Sequence, residues 1–283
     1  MRARRRSDCC LADRGDPGLL SGKSVSGQLF AVAKREVKAR IAYRMTIVTS
    51  TVSVATGLLA YGLLGRTSIV SVTTSTYGMT LASFLVSGVA FAPLITNGLG
   101  MFGNYIYPGQ IEEVMTMPTG FRQYLLLSSA LPISISIGSA ALSFTLGIFL
   151  FGLTFSYNIP ALAAVVLLGV VTSVALGFLG VAFQLVYKQT SVLSWLLYAF
   201  TGVAGNMLVP TQVLPQIVQD ISFLTPQYYF FTGIRIALGS DLASLTSMLE
   251  IFTAYAVILI ALALFSLERA LMFLRRNGTH GWA

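Results

Sequence analysis

Glu112 and Glu113 are the only adjacent carboxylates in the chain, and they sit in a short polar segment, Pro108-Gly-Gln-Ile-Glu-Glu-Val-Met-Thr-Met-Pro-Thr-Gly120, bracketed by helix breakers. Paired acids could serve as an acid–base dyad or as the charged edge of a docking element. The neighbours favour the second use. Ile111, Val114 and Met115 share one face of a short helix, while Glu112 and Glu113 fall in its first turn, where the helix dipole favours anions. The bland alternative is an amphipathic loop helix resting on lipid headgroups, a poor setting for two carboxylates facing anionic lipid.

The other residues able to do chemistry are few. His280 is the single histidine and falls in the C-terminal tail, so neither a histidine general base nor a histidine-rich metal cluster is expected. Cys9 and Cys10 are adjacent near the N-terminus and offer no disulfide framework. Gly18-Leu-Leu-Ser-Gly22-Lys23-Ser24 imitates a phosphate-binding loop, but it has three residues between the glycines where the motif needs four. No bound cofactor is expected, and any use of ATP would reside on another polypeptide.

The elements that must position these residues are membrane spans. The 283 residues are 55% hydrophobic and only 10% charged, with a mean hydropathy of +0.78, against roughly 25% charged in a soluble domain. Such a chain cannot cover a water-facing surface of its own size. The expected class is an all-α polytopic membrane protein with six spans, near Met45–Leu64, Tyr77–Met101, Tyr124–Phe151, Ala161–Tyr187, Val192–Val209 and Met248–Leu267.

A net charge of +8 alone would fit nucleic acid, but the position of the basic residues argues against that partner. Of the 18 Lys and Arg, all but Arg66 and Arg235 fall on the side holding both termini, which predicts cytoplasmic N- and C-termini. Residues 1–27 read as a disordered basic tail, 28–270 as the membrane domain and 271–283 as a C-terminal tail. Within Leu29–Arg44 an apolar stripe of Leu29, Ala33, Val37 and Ile41 opposes Lys34, Arg35, Lys38 and Arg40, the pattern of an interfacial helix. Between spans five and six, Pro210, Pro215 and Pro226 divide an apolar stretch into pieces too short to span, which predicts short helices dipping into the outer leaflet.

No Asp, Glu, Lys, Arg or His is expected near a span centre; Asp220, Asp241, Glu250, Arg66 and Arg235 fall outside or at the edges. That disfavours ion-coupled carriers and proton relays. Small and hydroxyl residues line three spans instead. Thr49 and Ser53 lie in span one, and Gly169, Ser173, Gly177, Gly180 and Gln184 in span four. Ser194, Tyr198, Thr201 and the edge-located Asn206 belong to span five. Helix packing explains such stripes. A translocation path along Thr49, Ser53, Ser194, Tyr198, Thr201 and Asn206 is the second reading, and it suits a hydrophobic or amphipathic compound better than an ion.

Three stretches together resemble the membrane subunit of ABC transporters of the type 2 exporter class, the ABC-2 permease family. They are Ala33-Lys-Arg-Glu-Val-Lys-Ala-Arg-Ile-Ala-Tyr-Arg44, similar to an elbow helix before span one; Glu112-Glu-Val-Met-Thr-Met-Pro-Thr119 followed by Tyr124-Leu-Leu-Leu127; and Pro210, Leu214-Pro215, Leu224-Thr-Pro226, Tyr228-Tyr229 and Arg235 before the last span. The resemblance covers about residues 29–270. It departs from the family pattern where Met117 separates Thr116 from Pro118 and where Gly120 follows Thr119. It implies a plasma-membrane exporter in which two membrane subunits, identical or paralogous, work with two ATPase subunits. Ile111, Val114, Met115 and Met117 would enter a cleft on the ATPase, Glu112 and Glu113 would meet basic groups at its rim, and Pro118 and Thr119 would complete the coupling segment. The same chain also fits an ATP-independent channel, scramblase or uniporter, or a non-transporting membrane assembly factor.

Overall fold

The computed structural model describes residues 55–65, 79–98, 121–187, 191–239 and 245–277. Their regular structure is helical, with no strand among the described residues. In chain order the helices are α1 (Ala55–Gly65), α2 (Leu81–Thr96), α3 (Phe121–Phe151), α4 (Ile159–Tyr187), α5 (Ser191–Val203), α6 (Gln216–Phe223), α7 (Pro226–Leu238) and α8 (Leu245–Asn277). A 3-10 turn at Thr211–Val213 precedes α6. The expected interfacial helix at 29–44 and the whole 108–120 segment lie outside the described residues.

Local signals explain where several helices begin. Thr80 caps α2, its Oγ1 accepting from the Ser83 amide at 3.3 Å. Asn158 caps α4, its Oδ1 accepting from the Ala161 amide at 3.1 Å, while its own amide donates to the Ala237 carbonyl of α7 at 3.1 Å. Pro226 opens α7 at a position where a missing amide hydrogen costs nothing.

Segments of α3, α4 and α8 are long and apolar enough to cross a membrane: Gln123–Phe151, Ile159–Tyr187 and Leu245–Leu274. Only 17% of the α8 window is buried within the chain, so most of its apolar surface needs lipid or another chain to cover it. Phe149 and Ile159, 82% and 74% exposed, pose the same requirement. α8 overruns the expected Met248–Leu267 span at both ends, and the domain boundary drawn at 270 falls inside it.

Core contacts give the helix directions. Val165 and Phe252 share one apolar cluster, and Ala182 and Ala270 share the next, so α4 and α8 run parallel. Phe144 joins the first cluster and Leu125 the second, which makes α3 antiparallel to both. The Phe91 and Phe144 rings lie 5.4 Å apart, and Gly147 abuts Val86, so α2 is antiparallel to α3. The directions therefore alternate along the chain from α2 to α4.

Hydroxyl groups in these apolar helices mostly bond to their own backbone. Ser128, Ser134 and Ser143 donate to the Leu125, Ala130 and Ser139 carbonyls, and Thr172 donates to Leu168 and Gly169. Each polar group is satisfied one turn back within its helix.

Candidate functional site

α5 is shorter than its apolar sequence suggests. Its 13 residues rise about 20 Å, against roughly 30 Å of hydrocarbon. The expected span Val192–Val209 does not continue as helix past Val203, because Asn206 takes a left-handed backbone with φ 59°. The Ala204 and Gly205 amides turn back to the Phe200 carbonyl at 2.8 and 3.1 Å, closing the helix. The carbonyls of Asn206 and Met207 are left facing inward, at the negative end of the α5 dipole.

Arg235 of α7 reaches those carbonyls. It is 1% exposed, and its Nη1 donates to the Asn206 carbonyl and its Nη2 to the Met207 carbonyl at 2.9 Å. Nη2 also approaches the Phe84 carbonyl of α2 at 3.4 Å, an oxygen that accepts from the Ser87 hydroxyl at 2.9 Å. The guanidinium carbon lies 3.4 Å from the Phe84 ring centroid, where the ring face attracts a cation. One planar side chain thus joins α7, the broken end of α5 and α2.

Arg235, expected outside the spans or at an edge, is buried among carbonyls of the α5 end and α2. That burial has no local signal, because its acceptors are distant in sequence: Asn206, Met207 and Phe84 are 29, 28 and 151 positions away. A guanidinium holds its proton at physiological pH. Arg235 is therefore a fixed cation that can clamp carbonyls, and it cannot relay protons.

The surroundings are shaped for this contact. A methyl group on Gly88 would sit 2.3 Å from the Met207 carbonyl oxygen and 3.2 Å from Arg235 Nη2, so only glycine lets α2 approach. Asn206 Nδ2 donates to Thr232 Oγ1 at 2.9 Å, and Asn206 Oδ1 accepts from the Thr211 amide at 3.3 Å. Asn206 therefore ties the end of α5 to α7 and to the turn that follows it.

Below this joint α6 and α7 form a helical hairpin against α4 and α8. Phe230 packs on Gly169, Gly233 on Val165, and the Ala237 carbonyl meets Asn158, so α7 runs antiparallel to the first half of α4. At the hairpin bend, the Phe223 carbonyl accepts from the Tyr229 hydroxyl at 2.9 Å and the Tyr255 hydroxyl of α8 at 3.0 Å. The Tyr229 and Tyr255 rings stack at 5.0 Å.

Of the residues named as a path, the described ones differ in exposure. Thr201 and Asn206 are buried, while Tyr198 points outward with Trp195 and Phe200 on α5. Ser194 lies within α5. Thr49 and Ser53 lie outside the described residues, as do Ile111, Glu112, Glu113, Val114, Met115, Met117, Pro118 and Thr119. The joint of Gly88, Asn206, Thr232 and Arg235 was not foreseen as a unit. Its one sequence signal was a lone arginine in an apolar, proline-broken stretch.

No protein-family model matches the chain, and no curated protein matches its sequence.

Proposed function

We infer that the chain is the membrane subunit of an ABC-type exporter of the ABC-2 permease kind. It would cross the plasma membrane six times with both termini in the cytoplasm and move a hydrophobic or amphipathic compound. A separate ATPase subunit would bind and hydrolyse ATP, and a second membrane subunit would complete the path. In this reading α1 to α5 and α8 belong to the six spans. The α6–α7 hairpin dips from the outer face, and 108–120 is the cytoplasmic coupling element.

The observation that carries the reading is the Arg235 joint. It ties the hairpin to α2, whose chain continues into the 108–120 segment. Closure of an ATPase pair would push on that segment and tilt α2 and α3. The rigid contact from Phe84 to Arg235 would pass the displacement to the hairpin, which would open the path outward. Arg235, Asn206 and Gly88 are positioning residues in this scheme.

The test is flux of a lipophilic dye from proteoliposomes holding the chain alone or together with its ATPase partner. ATP-dependent flux only with the partner supports the exporter. Flux from the chain alone without ATP supports a channel, scramblase or uniporter, and no flux in either preparation supports an assembly factor.

A further inference from the structure

An open groove of about 600 Å³ runs between the C-terminal halves of α4 and α8. Its size is that of a pocket for a small amphiphile. Ala182 and Ala270 are buried beside it and leave room, and Ser266 adds a small polar wall. Phe183, Tyr187, Phe265 and Phe273 flank the opening, with Phe183 and Tyr187 stacked at 4.5 Å. Phe265 and Phe273 are 55% and 47% exposed, so the apolar flank is presented outward and not used by the core.

Charge distinguishes this groove from ordinary lipid-facing surface. Arg269 and Arg276 both line it, two helical turns apart on one face of α8, and no carboxylate is among its lining residues. The Arg269 guanidinium lies over the Phe265 ring at 5.1 Å, which holds the cation at the groove wall. The groove ends where α4 and α8 both end, next to Lys188 and Arg275 in sequence. Two guanidiniums above an apolar trough match a phosphate headgroup above acyl chains.

We propose that this groove binds one anionic phospholipid, its phosphate between Arg269 and Arg276 and its chains along Phe183, Phe265 and Phe273. The site requires only that α4 and α8 lie in a bilayer, and it is independent of the ATPase reading. A bound lipid would cover surface that α8 leaves open and would cement the α4–α8 pair where no other described helix contributes to the groove.

The full chain is reconstituted in phosphatidylcholine containing a minority of phosphatidylglycerol, extracted gently, and the retained lipids are quantified by mass spectrometry. Phosphatidylglycerol should be enriched over the bulk mixture. R269A/R276A should lower that enrichment about tenfold, and R269K/R276K should keep part of it. S266F keeps both charges but fills the trough, and it should also lose the lipid; its elution as the wild type does guards against misfolding as the cause. Equal retention of both lipids, or unchanged enrichment in R269A/R276A or S266F, would overturn the proposal. So would displacement of the lipid by inorganic phosphate alone, or cross-linking of Phe265→Cys to a second copy of the chain in place of lipid.

Discussion

The guanidinium of Arg235 lies over the Phe84 ring, 3.4 Å from its centroid, and through that contact the α6–α7 hairpin is bound to α2. Burying a cation costs several kcal/mol unless its hydrogen bonds are made. Here the carbonyls of Asn206, Met207 and Phe84 accept from the two terminal nitrogens, and the ring face offsets part of the remaining cost. Arg235→Met removes the donors and leaves buried carbonyls unsatisfied, so it should destabilise the protein by about 2–4 kcal/mol in a detergent-melting or denaturant assay. Arg235→Lys should fall between, because an ammonium lacks the planar fork that reaches two carbonyls at once. A melting temperature unchanged in Arg235→Met would mean the joint carries no stability.

Gly88 and Gly138 give a matched pair. A methyl group at Gly88 meets the Met207 carbonyl oxygen at 2.3 Å, whereas at Gly138 nothing lies within 4 Å. Gly88→Ala should therefore cost about 1–3 kcal/mol by forcing α2 away from the α5 end. Gly138→Ala, inside α3, should be neutral or stabilise by up to about 1 kcal/mol. Thermal melting of the two variants side by side checks the contrast, and equal behaviour would refute the close approach of α2.

Asn206 combines two demands that substitution can separate. Its backbone is left-handed, and its amide bonds Thr232 and the Thr211 amide. Asn206→Gly keeps the conformation but loses the amide, costing about 1–3 kcal/mol. Asn206→Ala loses both and should cost about 1 kcal/mol more than glycine does. Reversal of that order in denaturant titration would show that the backbone is not held at positive φ.

How far the sequence foretold this arrangement depends on the range of the forces involved. The apolar runs of α3, α4 and α8 were legible because a bilayer-length stretch needs no partner to be recognised. The break at Pro210, Pro215 and Pro226 was legible because proline acts locally. The early end of α5 was not. Val203–Val209 stays apolar, and hydropathy does not register a left-handed Asn206. The extension of α8 to Asn277 was missed because Glu268, Arg269 and Arg276 lower hydropathy without breaking a helix. The burial of Arg235 was not legible because its acceptors lie in two distant parts of the chain, Asn206–Met207 and Phe84.

Tyr229 and Tyr255 should act together. Both hydroxyls donate to the Phe223 carbonyl at the hairpin bend, so either one alone leaves it satisfied. Tyr229→Phe and Tyr255→Phe should each cost about 0.5–1 kcal/mol, and the double variant should exceed their sum. A double-mutant cycle in melting experiments reads the coupling, and strict additivity would argue against the shared acceptor.

The central claim is that this chain is driven by an ATPase docked on 108–120. Its most direct test is the ATP hydrolysis that co-purifies with tagged chain from its native membranes. Wild-type protein should carry the activity, and Glu112→Lys with Met115→Glu should remove it while leaving the protein in the membrane in equal amount. Activity retained at the wild-type level by that double variant would contradict the account.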